Sequence, residues 1–92
     1  MRKLLACMSA NHKKDISRNA KTLFTEGTVC RVTDRNNPLE DEAVGEAVVL
    51  STTREEIRAE VRGRRFGFEG VIATFRIPTL TQRGGNLRLC LP

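Results

Sequence analysis

The sequence contains neither tryptophan nor tyrosine, and its 92 residues include only four phenylalanines, three cysteines and one histidine. Cys7, Cys30 and Cys90 are odd in number and far apart, and no two of them form a C-x-x-C pair. This spacing argues against a disulfide framework and against a cysteine-rich zinc site. We therefore expect small buried or half-buried thiols in a reducing compartment and no bound metal.

Catalytic groups are equally scarce. With His12 as the only histidine, no Ser-His-Asp or Cys-His arrangement can be assembled, and no glycine-rich phosphate loop is present. The neighbouring carboxylates Glu55 and Glu56 lie beside arginines, and a second acidic group falls in a predicted loop, at Glu40, Asp41 and Glu42. A chain this small would also enclose a catalytic cleft only with difficulty. The sequence predicts a non-catalytic protein without a cofactor.

Long apolar runs are missing as well, which excludes a membrane-spanning segment. Residues 1–7 have a basic start and end in Ala-Cys, as in a lipoprotein signal. Their apolar part is far shorter than the ~7–15 residues of an export signal. We expect a cytoplasmic protein that forms a single domain over residues 1–92.

Arginine is abundant. The net charge is +5, twelve of the sixteen basic residues are arginine, and every basic residue after Lys21 is arginine. The charge is uneven: residues 1–35 carry +5, residues 36–53 carry −4 and residues 54–92 carry +4. Guanidinium groups make planar, bidentate contacts with phosphates and carboxylates. The composition therefore favours a polyanion or an acidic protein as the partner.

A helix is predicted over residues 13–26. Apolar side chains recur there at three- and four-residue spacing, at Ile16, Ala20 and Leu23 or Phe24. Gly27 can end the helix in the left-handed conformation. The outer face of this helix is basic and consists of Lys13, Lys14, Arg18 and Lys21.

The rest of the chain reads as strands and turns. We predict strands over residues 28–33, 45–52, 56–62, 66–77 and 86–91, with a turn at residues 81–85. The continuous apolar run in residues 45–52 indicates a central strand. Gly70 marks a kink or a bulge at which the inward-facing set changes from Phe66 and Phe68 to Val71, Ala73, Phe75 and Ile77.

One segment fits two structures. The alternation of Ile57, Ala59 and Val61 with charged residues favours a strand, whereas Thr53-x-x-Glu56 fits a helix-capping box. The predicted fold is mainly β: a small five-stranded antiparallel barrel or sandwich preceded by an N-terminal α-helix, or α+β if residues 54–62 are helical. Glycines bound the last three strands, which predicts that these strands pair sequentially and antiparallel.

The block Arg64-Arg65-Phe66-Gly67-Phe68 places two phenylalanines on one face of a predicted strand beside an arginine pair. Aromatic faces stack on unpaired bases and guanidinium groups bind phosphates, although an ordinary core strand has the same pattern. The candidate nucleic-acid-binding residues are Arg58, Arg62, Arg64, Arg65, Phe66 and Phe68.

This block is similar to the K-G-F-G-F core of cold-shock and related oligonucleotide-binding barrels. In that comparison Arg64 takes the basic position and Phe66, Gly67 and Phe68 take the F-G-F, while Arg65 replaces a glycine. The resemblance covers five to eight residues. It implies a barrel whose phenylalanines stack on the bases of single-stranded nucleic acid.

A second resemblance is to PilZ domains, small barrels that bind cyclic dinucleotides through R-x-x-x-R and [DN]-x-S-x-x-G motifs. Arg31-x-x-x-Arg35 matches the first motif, and the segment that ends at Ser51 resembles the strand leading to the second. Val49 replaces the Asp or Asn of that motif and Arg54 replaces its Gly. The resemblance implies a degenerate PilZ-like barrel.

Two hypotheses about function follow from the sequence. The first is a small basic protein that binds RNA or single-stranded nucleic acid through an Arg/Phe surface. The alternative is a protein-interaction or inhibitory module, such as a phage or mobile-element accessory protein, whose arginines dock an acidic partner. The salt dependence of binding separates them, because phosphate contacts weaken steeply with salt.

Overall fold

A computed structural model describes residues 13–36 and 43–92, without the side chains of residues 13–15 and 68. The elements within these ranges are helix α1 (Lys13–Leu23), five strands and one short 3-10 turn (Arg64–Phe66). The strands are β1 (Val29–Asp34), β2 (Gly45–Thr52), β3 (Glu56–Gly63), β4 (Gly67–Arg76) and β5 (Leu87–Leu89).

The five strands form one antiparallel sheet in the order β4-β3-β2-β1-β5, and the sheet curls into a half-barrel. The predicted mainly β fold with an N-terminal helix is confirmed. β2 occupies the centre of the sheet, as its apolar run indicates. The segment with two possible structures is a strand: residues 56–63 pair with β2 on one side and β4 on the other.

The predicted sequential pairing of the last three strands is correct for β3 with β4 and wrong for β4 with β5. β5 pairs instead with β1, where Leu89 lies opposite Val32. Thr81 and Gln82 are predicted as part of a turn, but Gln82 forms a single bridge to Phe75 of β4 and Thr81 forms one to Arg88 of β5. This short segment therefore lies between β4 and β5. Leu87 and Leu89 of β5 are buried in the core beside β1.

The core lies on the concave face of the sheet, under α1. Alternate residues of the strands point inward and are buried; they include Val32, Val49, Ile57, Ala59, Val61 and Phe75. The inward face of the helix is buried against them through Ile16, Ala20 and Phe24, as its spacing predicts. Buried apolar surface of this kind is the main stabilising contribution in a domain of this size.

Helix α1 ends at Leu23, three residues earlier than predicted. Gly27 is therefore not the residue that ends the helix. It has φ +91° in a turn closed by a hydrogen bond from the Thr28 amide to the Thr25 carbonyl at 3.0 Å. Its own amide donates to the Val49 carbonyl at 2.8 Å, so the turn directs the chain into the sheet.

The predicted bulge at Gly70 is confirmed. The register changes between the pairs Val61↔Val71 and Gly63↔Gly67, so that β4 contains two residues more than β3 over this stretch. Gly70 has φ +72°, and a Cβ there would lie 2.7 Å from the Val61 carbonyl oxygen. Only glycine fits such a position without strain.

The inward-facing set predicted after this bulge is only partly correct. Ala73 and Phe75 are buried and Ile77 is half-buried, but Val71 is 42% exposed. Residues 81–83 bond to β4 only near Thr74 and Arg76. The edge of β4 at Val71 therefore has no neighbouring strand among the described residues to cover it.

Candidate nucleic-acid interface

Two of the candidate arginines, Arg58 and Arg62, lie on the convex face of the sheet. They alternate along β3 with the buried residues Ile57, Ala59 and Val61, which points both guanidinium groups away from the core. Arg58 is exposed, and its cross-strand neighbours are Ser51 of β2 and Thr74 of β4. Its same-face neighbours along β3, Glu56 and Glu60, pair with Arg83 and Arg62, so Arg58 itself forms no ion pair among the described residues.

Arg62 already has an acidic partner. Its Nη2 lies 3.0 Å from Glu60 Oε1, while its side chain remains 58% exposed. In the sheet register Arg62 is also opposite Glu46 of β2, which is in turn opposite Arg31 of β1. Exposed ion pairs of this kind contribute little to stability. They lower the local positive potential at Arg62.

Arg64 and Arg65 lie in the 3-10 turn that joins β3 to β4, and both are exposed. Arg65 Nη1 donates to Asp34 Oδ2 at 2.7 Å and thereby connects this turn to the end of β1. The Asn36 amide donates to Asp34 Oδ1 at 2.8 Å, and this bond together with Arg65 holds the pKa of the Asp34 carboxyl below its usual value. Arg64 has no ion pair among the described residues.

Phe66 is not placed as a stacking platform on an extended strand. The predicted strand begins at Gly67, one residue later, and Phe66 closes the 3-10 turn instead. Its side chain is half-buried and packs against the core. Phe68 lies in β4, and its side chain is outside the described residues. The structure thus places Arg62, Arg64 and Arg65 at the turn end of the β3–β4 hairpin, with Phe66 packed against the core there. Arg58 lies four residues before Arg62 on the same strand, towards the open end of the hairpin.

A cross-strand row on the convex face, aliphatic except for Glu60, was not predicted from the sequence. Val29, Val48, Glu60 and Ile72 lie opposite one another across four strands. Val29 is 52% exposed and Ile72 is 53% exposed. The strand registers bring these residues together, and no local pattern in the sequence signals such a row.

The two described cysteines agree with expectation. Cys30 and Cys90 are buried, and burial raises the pKa of the Cys30 thiol to about 11. Cys7, His12 and the acidic residues Glu40, Asp41 and Glu42 lie outside the described residues. Within residues 13–36 and 43–92, no group of three or more His, Cys, Asp or Glu side chains is placed to hold a metal ion. The helix in that part of the chain is too short and too polar to span a bilayer.

No family model, curated protein or solved structure matches this chain. The resemblances to cold-shock barrels and to PilZ domains therefore have no support beyond the motif residues on which they are based. Phe66, at the first aromatic position of the cold-shock block, contacts the core rather than presenting a free ring. Val49, at the Asp/Asn position of the PilZ motif, is fully buried and cannot contact a nucleotide on the surface.

Proposed function

We propose that this chain is a small, basic, non-catalytic protein that binds RNA or single-stranded nucleic acid. The ligand backbone lies along the β3–β4 hairpin, where the arginines of β3 and of the following turn contact phosphates. These arginines are Arg58, Arg62, Arg64 and Arg65, and we name them the hairpin arginines.

The observation that carries this proposal is the exposure of Arg58 and Arg64 without an acidic partner among the described residues. A guanidinium group with no internal counter-ion keeps its charge and all five N–H donors for a ligand. Arg62 and Arg65 are bound to Glu60 and Asp34 and must share or exchange these partners to contact phosphate. Arg58 and Arg64 therefore contribute most of the binding.

Phosphate contacts carry no base information, so the surface has little sequence preference. Phe66 packs against the core, which leaves Phe68 as the remaining candidate for base stacking. Affinity then depends chiefly on counterion release and weakens steeply with salt.

The test measures the binding of fluorescently labelled oligo-dT and oligo-U at several salt concentrations. For single strands, each phosphate contact makes the slope of log K against log salt more negative by about 0.7. Arg58→Gln and Arg64→Gln should each flatten the slope by about that amount and weaken both ligands alike.

Arg35→Gln is the matched control, because Arg35 is exposed, has no ion pair among the described residues and follows β1. It removes the same charge without touching the hairpin arginines, so its slope should remain that of the wild type. If Arg35→Gln weakens oligonucleotide binding as much as Arg58→Gln or Arg64→Gln, the binding depends on net charge and not on the hairpin arginines. An affinity that does not change with salt would contradict phosphate contact altogether.

A second candidate function, docking of an acidic protein, is favoured by the aliphatic residues of the row on the convex face, which Glu60 interrupts. Val29 and Ile72 are exposed and aliphatic, and they suit side-chain packing better than base stacking. Arg31 and Arg62 border the row on one side and Arg58 borders it on the other. The test is a pull-down from source lysate. A protein that is still captured after nuclease treatment, and whose binding depends only weakly on salt, would favour this function over nucleic-acid binding.

A further inference from the structure

A cleft of about 310 Å³ lies between α1 and the loop that joins β2 to β3. Its lining is rich in cations and hydroxyl groups: Ser17, Arg18, Ala20, Lys21, Thr22, Thr53 and Arg54. Arg18 and Thr22 are four residues apart on the helix, as are Ser17 and Lys21, so both pairs face the loop despite a kink at Asn19. The cleft is separate from the hairpin arginines.

The helix wall of the cleft is fixed by the core and by the sheet. Ile16, Ala20 and Phe24 are buried, which holds α1 against the concave face. The Thr52 hydroxyl donates to the Phe24 carbonyl at 2.6 Å and connects the end of the helix region to β2. The helix therefore cannot shift without breaking contacts in the core.

The loop wall is held by its own hydrogen bonds. Thr53 Oγ1 accepts from the amides of Glu55 and Glu56, each at 3.2 Å, and the Thr53 amide donates to the Glu56 carbonyl at 2.9 Å. These bonds place Arg54 at the outer corner of a tight turn facing α1. Both walls are thus formed before any ligand arrives, which lowers the entropic cost of binding.

The charges in the cleft have no counter-ion. Arg18, Lys21 and Arg54 are exposed and form no ion pair among the described residues, and no carboxylate is part of the described lining. Like charges gathered in a concave site raise the local positive potential. The hydroxyl groups of Ser17 and Thr22 have no hydrogen-bond partner among the described residues and can donate to an oxyanion.

We propose that this cleft binds a phosphate group. Arg18 and Arg54 approach from opposite walls and supply planar donors, Lys21 supplies a compact charge, and the hydroxyl groups complete the hydrogen bonding. The chemistry suits a backbone phosphate of a nucleic acid and the phosphate of a free mononucleotide alike. The inference does not depend on the hairpin arginines and goes beyond the function proposed for them.

The first experiment is an NMR titration of ¹⁵N-labelled protein with inorganic phosphate. We expect the amides of residues 17–22 and 53–56 to shift together. The variant with Arg18→Gln and Arg54→Gln should bind phosphate about tenfold more weakly or worse, since each substitution removes a charge-assisted hydrogen bond. Both side chains are exposed and unpaired, so this variant should remain folded.

The control variant carries Arg31→Gln and Arg35→Gln, which removes two exposed arginines from the β1 region on another part of the sheet. It should bind inorganic phosphate as the wild type does. A titration in which the cleft amides do not move, or an equal loss of affinity in the control variant, would overturn the proposal.

A second titration separates the two sources of phosphate. If a mononucleotide binds the cleft and the oligo-dT affinity is the same in the Arg18/Arg54 variant as in the wild type, the cleft takes small phosphorylated molecules. If the oligo-dT affinity falls in that variant, a nucleic-acid backbone reaches the cleft. If the Arg58 and Arg64 substitutions do not alter oligonucleotide binding, the function proposed for the hairpin arginines is contradicted. Phosphate binding in the cleft would not be affected by that result.

Discussion

Phe66 lies against the backbone of β2 and β3, where two glycines make room for its ring. A Cβ at Gly45 would lie 3.0 Å from the ring atom Cε2, and one at Gly63 would lie 3.4 Å from Cδ2. Gly63 has φ +154°, a conformation that side chains rarely adopt. The ring therefore replaces the missing side chains and covers the end of the curled sheet, which makes Phe66 a structural residue.

We predict that Phe66→Ala lowers the free energy of unfolding by about 1–3 kcal/mol, less than the ~3–5 kcal/mol of a fully buried phenylalanine. Affinity for oligo-dT should not change under conditions in which the variant is folded. Urea denaturation beside a binding titration measures both. Phe66→Leu is the matched control and should recover most of the stability; loss of binding at unchanged stability would instead indicate stacking on a base.

Gly70 is constrained by conformation and by contact, so Gly70→Ala should destabilise the protein by about 2–4 kcal/mol. The alanine would have to adopt φ +72° with its Cβ at 2.7 Å from the Val61 carbonyl oxygen. Gly84→Ala provides the control, because Gly84 has φ +78° with open space around it and should lose only about 1 kcal/mol. Equal losses in urea denaturation would show that the close approach to β3 has no energetic effect.

At the scale of elements, β1 and the turn after β3 are connected by an ion pair between residues far apart in the chain. Asp34 ends β1 and is only 15% exposed at its side chain, while Arg65 lies in the 3-10 turn. The Asn36 amide and Arg65 both favour the ionised carboxyl and lower the pKa of Asp34. The folded state is stabilised wherever Asp34 is charged.

This pair predicts a defined pH dependence. The Asp34 carboxylate contributes its full stabilisation above its unfolded pKa of about 3.9, and the contribution disappears as the pH falls through the lowered pKa of the folded state. The difference in unfolding midpoint between wild type and Asp34→Asn should therefore be constant from pH 7 to about pH 5 and shrink at lower pH. Urea denaturation at several pH values checks this; a difference that persists to the lowest pH would rule out the carboxylate as its origin.

At the scale of the whole molecule, the sheet curls so that α1 and residues 80–89 cover one shared core. Cys30 lies in that core, with a thiol pKa of about 11 because burial disfavours the thiolate. Only a thiolate attacks an alkylating reagent. Modification of Cys30 thus requires the core to open.

We therefore predict that native protein at pH 8 resists alkylation of Cys30, and that the thiol reacts at once in denaturant. Peptide mapping by mass spectrometry after iodoacetamide treatment measures the modified fraction at each cysteine. Rapid modification of Cys30 in the native protein would show that the core opens locally without global unfolding.

Much of the fold could be predicted because its elements have a local cause. The alternation of Ile57, Ala59 and Val61 specifies a strand with one buried face, and the glycine at position 70 specifies a bulge. The helix face at Ile16 and Ala20 follows from spacing alone. These features depend on neighbours within a few residues, where backbone geometry fixes the direction of each side chain.

The candidate site was less predictable, because its properties depend on residues distant in the chain. Arg58 and Arg62 flank Glu60 on the same face of β3, yet Glu60 pairs with Arg62 alone. The cross-strand neighbours also differ, because Arg62 lies opposite Glu46 whereas Arg58 lies opposite Ser51 and Thr74. The pairing of Arg65 with Asp34 spans 31 residues and has no sequence signal. No pattern of charges along a chain shows which cations keep a free guanidinium group.

The sequence by itself determined the existence of most strands, the buried face of the helix and the excess of positive charge, since period and composition act locally. Only the tertiary structure decided that β5 pairs with β1, that Phe66 covers the end of the sheet and that Arg18 and Arg54 face each other across a cleft. Each of these outcomes depends on which distant surfaces best bury apolar area together. That is a property of the whole chain rather than of any segment.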